Sequence, residues 1–239
     1  MGLTRDLASP PQASHLQSQD VGIILAILCL ALAPRTSVAI ASAPSTLKPI
    51  FHQITTAATF LVRHRRDLVL HSAPHLAALL SHLIGCLRTI RPNLGGRQQR
   101  LLANSLPGWL NVATEPLGAD EAKGLARLLT SLTAKTIPRV PAHLQAVATN
   151  QKADSLAGPL AKHAPFVLLA YIHLLTDLSS VVGPLVRREL EPGVGAVCEM
   201  VGERDRDAVM VGGGLDAGGK GVLKMVWNDW EAKRYAGRG

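Results

Sequence analysis

"DEAKGLARLLTSLTAKTIP", residues 120–138, decides the fold class. Leu125, Leu128, Leu129 and Leu132 recur at i, i+3, i+4 and i+7, the spacing that lines apolar side chains along one face of a helix. Asp120 and Glu121 stand in the first turn, where carboxylates meet the positive end of the helix dipole. The helix ends before Pro138. One leucine stripe on one helix has to be covered by another, so the segment predicts helices packed on helices.

The same spacing recurs through most of the chain. Leu and Ala are abundant and aromatics few, with three Trp, two Tyr and three Phe, a balance that favours helices over strands. An apolar series over Leu47 to Leu70 runs into "RHRRD" at 63–67; Ser72 and Pro74 then start a helix that should reach about Thr89. "RPNLGGRQQR" at 91–100 is a loop entering a short helix near Gln98 to Ser105, and 136–155 forms a flexible joint. A helical stretch over Leu156 to Asp177 is interrupted at Pro165. Pro184 and Pro192 each open a short helix, about 184–190 and 192–202, and a last helix runs from about Asp216 to Tyr235. No fixed repeat emerges. The expected fold is all-α, an irregular helical array resembling an α-solenoid fragment: residues 1–20 a disordered leader, 21–44 an apolar helix and linker, and 45–239 the helical domain.

"VGIILAILCLALA" at 21–33 has the length of a signal-peptide core, and "SVAIASA" follows it. Asp6 and Asp20 offset Arg5, so the positive flank of a secretory signal is missing, and the run is short of the ~20 residues that span a bilayer. A buried helix is expected; a secreted or anchored helical protein is the second alternative. Cys29, Cys86 and Cys198 are too scattered for a disulfide framework or a zinc site and are read as buried, inert thiols of a reducing compartment. Net charge is +8, with +7 of it in residues 1–114. Such a balance suits a polyanion such as RNA, an acidic protein partner, or a solvated basic surface.

"VMVGGGLDAGGKG" at 209–221 places Gly214, Gly219 and Lys220 in the spacing of a phosphate-binding loop, which makes a nucleotide-dependent enzyme the first alternative. Gly221 occupies the position where a hydroxyl would ligate magnesium, so a glycine-rich hinge capped by Asp216 is expected instead. His64, His71, His75 and His82 would form a stripe on one continuous helix, but Pro74 interrupts it and the neighbours are arginines, so no metal is expected. No nucleophile elbow is present, no cysteine sits in an activating motif, and the acidic pairs lie at helix starts and on solvated faces. Neither catalysis nor a cofactor is expected.

Basic clusters carry the functional reading. Arg63, Arg65, Arg66, Arg187 and Arg188, with further arginines at 88, 91, 97 and 100, could meet phosphates, and the lack of aromatic platforms restricts RNA contact to the backbone. Trp227 and Trp230, three apart, share a face that packs inward or docks a partner; Arg234 and Tyr235 extend the docking set.

Three stretches together, "LAKHAPFVLLAYI" at 160–172, "VRRELEPGVGAVCEMVGERDRDAVM" at 186–210 and "LDAGGKGVLKMVWNDWEAKRYAGRG" at 215–239, resemble the C-terminal domain of the fungal unhealthy-ribosome-biogenesis protein 2 family. "FLVRHRRDLVLHSAPHLAALLSHLIGCLRTIRPNLG" at 60–95 is similar to the upstream part of that domain, so the resemblance covers residues 45–239 and rests on extended similarity rather than a catalytic motif. It implies a nucleolar scaffold of long helical-repeat type, joining large-subunit precursors and pre-rRNA processing beside assembly factors that include an RNA helicase, with no membrane role. Members of that family are much longer, so the chain resembles a C-terminal fragment or truncated product. Residues 1–44 lie outside the resemblance, and "VGGG" at 211–214 is richer in glycine than the family pattern.

Overall fold

The computed structural model describes residues 16–34, 47–135 and 155–236. The joint expected at 136–155 lies outside them, apart from Ser155, as does the leader up to residue 15. Helix α1, Ser18–Ala31, begins inside the stretch assigned to the leader. Asp20 fixes that start by accepting the Gln17 backbone N–H at 2.8 Å. The other end is closed by the Trp109 indole N–H, which donates to the Ala31 carbonyl at 2.7 Å. Val21, Leu25 and Leu32 are buried, whereas Ile23, Ile27 and Leu30 are more than half exposed, so one face of the apolar run joins the core and the other faces outward.

Helix α2, Leu47–His64, stops one residue before Arg65, short of the expected Leu70. A four-residue helix α3, Arg66–Val69, and a 3-10 turn at Leu70–Ser72 lead into α4, Ala73–Cys86, with Pro74 in its first turn. Ser72 precedes α4 as predicted but makes no side-chain cap; it is buried instead. The expected continuation to Thr89 does not occur. The Arg88 N–H turns back to the Cys86 carbonyl at 2.9 Å, and β1, Thr89–Ile90, pairs antiparallel with β2, Ser180–Val181. Arg88 locks this turn by donating to Gly85 O at 2.6 Å and to Asp177 Oδ2 at 2.9 Å. The Arg66–Cys86 run is long and apolar enough to cross a membrane by length and composition. Leu76, Leu79, Leu80, Leu83 and Ile84 are buried inside the fold, which accounts for its hydropathy.

Helices α5, Gly96–Asn104, and α6, Ala119–Thr133, follow. Leu125, Leu128, Leu129 and Leu132 of α6 are all fully buried, the stripe read from the sequence. α7, Ala157–Ala161, and α8, Ala164–Thr176, divide near Pro165 as predicted. The segment α9, Pro184–Gly212, is two helical stretches joined across a kink at Gly202: the first runs through Pro192, where a division was expected, and ends where the 192–202 helix was expected to end. A proline inside a helix costs ~3 kcal/mol, and burial of Leu190, Val194, Val197, Cys198 and Val201 offsets it. The break falls at Gly202, where φ is +69° and ψ 171°, a conformation nearly restricted to glycine. α10, Ala217–Ala236, completes the described chain.

The fold is all-α with one short strand pair among the described residues. Its packing order is not that of a linear array, in which sequence neighbours stack. α1 lies on α4, α4 on α8, α8 on α9, α9 on α6 and α6 on α2, and α2 returns to α1. α6 and α9 approach closely where Gly193 meets Ala126: a Cβ added there would come 2.8 Å from the Ala126 Cα and 2.9 Å from Leu129 Cδ1.

Candidate partner-docking cleft

Beyond α9, Gly213 and Gly214 form the expected hinge, Gly214 in the left-handed region with φ +68°. Asp216 caps α10 by accepting the Gly219 N–H at 2.7 Å. This geometry overturns the phosphate-loop alternative. Helix α9 stands where that loop needs a strand, Lys220 is an exposed residue of α10, and a carboxylate occupies the helix N-terminus where phosphate would bind.

The cap sets α10 across α8 and α9, and the cleft between the three is lined by Tyr171 of α8, by Arg187, Arg188, Glu191, Val194 and Gly195 of α9, and by Met225, Asp229, Trp230 and Lys233 of α10. Its volume is about 200 Å³. Trp230 rests against Gly195, whose missing side chain leaves room for the ring: a Cβ there would stand 3.3 Å from the indole Cδ1. Lys233 pairs with Glu191 across the α9–α10 seam. Burial pushes the Tyr171 hydroxyl above its ordinary value, while the Arg187 guanidinium beside it pulls the other way.

The docking residues separate into two roles. Trp227 is only 1% exposed and its indole N–H donates to Glu231 Oε1 at 2.7 Å, so it supports the face from beneath and offers no surface to a partner. Trp230 is half-buried at the cleft, edge-on to Trp227 at 4.9 Å between ring centroids. Arg206 lies 5.1 Å from the Trp227 ring centre and Arg234 5.2 Å from that of Trp230, cation–π contacts that hold the pair in place. Arg234 and Tyr235 are exposed.

The arginines also divide. Arg187 and Arg188 are exposed and line the same cleft as Trp230, a juxtaposition the sequence did not reveal. Arg63 is exposed on α2. Arg66, grouped with them by sequence, is instead a structural cap: its guanidinium donates to Ser131 O and Ala134 O, both at 2.7 Å, closing the carbonyl end of α6. Arg65 likewise turns into the fold, donating to Leu16 O at 3.2 Å and pairing with Asp67 at 3.5 Å. These bonds would have to break before either could serve a phosphate.

His64, His71, His75 and His82 are exposed on segments that do not form one helix, and no cluster of three or more metal-binding side chains occurs among the described residues. Burial pushes the Cys86 and Cys198 thiols up to about 12, which disfavours the thiolate that nucleophilic chemistry needs at those two positions, and it raises Cys29 as well. Sequence reasoning missed Tyr171, Glu191, Asp229 and Lys233 because they meet only once α8, α9 and α10 pack. A usable signal was present in Gly193 and Gly195, two glycines inside an apolar helical run, which mark close approach.

The family model described as Urb2/Npa2 matches residues 5–238. The chain belongs to the Urb2/Npa2 family. The match reaches well upstream of residue 45, where the resemblance seen in the sequence began, and takes in α1. Comparison with curated proteins and with solved structures gives no match. The family is one of ribosome-biogenesis factors and is not a known enzyme family.

Proposed function

We propose that this Urb2/Npa2 family chain is a non-catalytic scaffold of nucleolar large-subunit assembly and pre-rRNA processing that holds a protein partner at the Trp230 cleft. The observation that carries the reading is the cleft itself. A half-buried tryptophan seated on Gly195 and braced by Arg234 stands beside Arg187 and Arg188 on a three-helix support. Tryptophan and arginine are the residue types on which binding energy concentrates at interfaces. Assembly factors, an RNA helicase among them, are the proposed partners. Arg63, Arg187 and Arg188 are the proposed contacts to the pre-rRNA backbone; phosphate contact adds affinity without base readout and weakens with salt.

The test is affinity purification of the tagged chain, followed by sedimentation and identification of the RNA and protein recovered, with the Trp230→Ala and Arg187→Glu/Arg188→Glu variants in parallel. The proposal expects the wild type in the nucleolus and in large-subunit precursors, and both variants depleted from them while keeping their helical circular dichroism. A folded wild type that recovers no precursor, or variants that recover as much as the wild type, would overturn it.

A further inference from the structure

The outer face of α2 carries rings and hydrogen-bond donors but no carboxylate. His52, Thr56, Phe60, Arg63 and His64 are exposed along one stripe of the helix, ~18 Å from end to end. Phe60 is 54% exposed, and it is the one large apolar side chain exposed among the described side chains of α2. The His64 ring, one turn on, lies 4.6 Å from the Phe60 ring between centroids and is tilted by 42°. That contact holds the Phe60 ring in place while much of it stays open to water.

The charge beside the rings has one sign. Arg63 is exposed and has no carboxylate partner among the described residues. Between Asp20 and Asp67 the chain contains no acidic residue. The acids on the elements packed against α2 are committed or distant. Asp20 of α1 accepts the Gln17 N–H, and Asp67 of α3 pairs with Arg65. α6 runs parallel to α2, since a Cβ at Gly124 would lie 4.0 Å from Thr55 Cγ2 while Arg66 reaches the carbonyls of Ser131 and Ala134. Asp120 and Glu121 therefore stand at the far end of the pair, and the half of α6 level with Phe60 leads through Arg127 to Lys135, both exposed.

We propose that Phe60, braced by His64, stacks one unpaired base of a single-stranded RNA while Arg63 meets the adjoining phosphate. The site rests on the pre-rRNA contact proposed above and adds a base to it. RNA is favoured over a protein partner because an interface hot spot needs apolar neighbours that exclude water, and no second large apolar side chain is exposed on α2. A stacked base needs one open ring and a nearby cation, which this stripe supplies. The few aromatics in the sequence suggested backbone contact alone; the i, i+4 pairing of Phe60 with His64 provides the platform that composition hides.

The test is fluorescence anisotropy of the full chain with a labelled single-stranded RNA oligomer. An abasic ribose-phosphate strand of the same length and a glutamate-rich peptide serve as rival probes. The RNA is expected to bind more tightly than the abasic strand. Phe60→Ala should lose about tenfold in affinity for the RNA and nothing for the abasic strand, and Phe60→Trp should retain the wild-type affinity. Arg63→Ala should weaken both strands and make the log–log salt dependence shallower by about 0.7, the share of one phosphate on a single strand. Both positions are exposed; His64→Ala replaces Phe60→Ala if that variant loses its helical signal. No RNA binding by the wild type, an affinity unchanged in Phe60→Ala, an equal loss on the abasic strand, or Phe60-dependent binding of the acidic peptide instead would each overturn the proposal. Recovery of precursor particles reads the scaffold role separately. A chain that enters them without Phe60-dependent RNA binding refutes this site alone, and Phe60-dependent binding by a chain that enters none refutes the scaffold and leaves this site standing.

Discussion

Gly193→Ala tests the close crossing of α6 and α9, and opposing effects make its sign informative. In a helix interior alanine is more favourable than glycine by ~1 kcal/mol, so an open site would be stabilised by the change. At Gly193 the new Cβ would meet the Ala126 Cα at 2.8 Å, Leu129 Cδ1 at 2.9 Å and Leu129 Cβ at 3.1 Å. Leu129 can rotate only within a fully buried stripe, and the Ala126 backbone can yield only if α6 moves away from α9. Overpacking a core costs ~1–3 kcal/mol, and a clash with backbone belongs at the upper end. Setting ~3 against ~1 kcal/mol leaves a net loss of ~2 kcal/mol. With a urea slope of roughly 2 kcal/mol per molar, the unfolding midpoint should fall by about 1 M. Gly221→Ala on α10 is the control, because nothing stands within 4 Å of its added Cβ. Its midpoint should rise by a few tenths of a molar, roughly 1 kcal/mol of propensity on the same slope. Urea titration followed by far-UV circular dichroism reads both. A Gly193→Ala midpoint at or above the wild type would refute the α6–α9 contact as the reason for glycine there.

Three further outcomes follow from the structure. Arg66→Ala removes charged donors from Ser131 O and Ala134 O and should cost ~1–2 kcal/mol in urea unfolding, discounted for partial exposure; Arg63→Ala should change stability by less than ~0.5 kcal/mol, and equal effects would contradict the capping role. Burial opposes ionisation of Asp177, but hydrogen bonds from Ser179 and Ser180 and the Arg88 charge outweigh it and hold its carboxyl below the usual range. Its folded value lies below the unfolded one, so its stabilisation is complete above the ordinary carboxylate value and is lost as pH falls through the lowered one; Asp177→Asn should flatten the acid limb of a Tm-against-pH curve, and an unchanged limb would count against the cluster. Cys86 and Cys198, both pushed to about 12, should resist Ellman's reagent at pH 8 until denaturant is added, with Cys29 reacting first; simultaneous release of all three thiols would contradict the burial.

What the sequence disclosed depended on how local the cause was. The Leu125 to Leu132 stripe, the break near Pro165 and the Asp216 cap were legible because each is set within a turn or two of chain. Pro192 misled for the same reason. Taken alone a proline opens a helix, and only the burial of α9 against α6 and α8 lets the helix continue through it. "RHRR" looked like one basic surface, yet Arg66 reaches carbonyls on α6 and Arg65 reaches Leu16, partners far away in sequence. The cleft was half-legible. Trp230, Arg187 and Arg188 were chosen for their chemistry, but their shared location depends on the packing of α10 over α8 and α9, which periodicity does not encode.

Because α6, Ala119–Thr133, finds its main cover only in α9, Pro184–Gly212, synthesis order leaves a gap. As the polypeptide emerges from the translating ribosome, α6 can pack on α2 at once, but the larger part of its cover arrives only with residues beyond 184. Nascent chains that expose apolar faces for such an interval are prone to aggregate and to recruit chaperones. Premature stop codons between these two helices should therefore yield insoluble, rapidly degraded product rather than a smaller working unit.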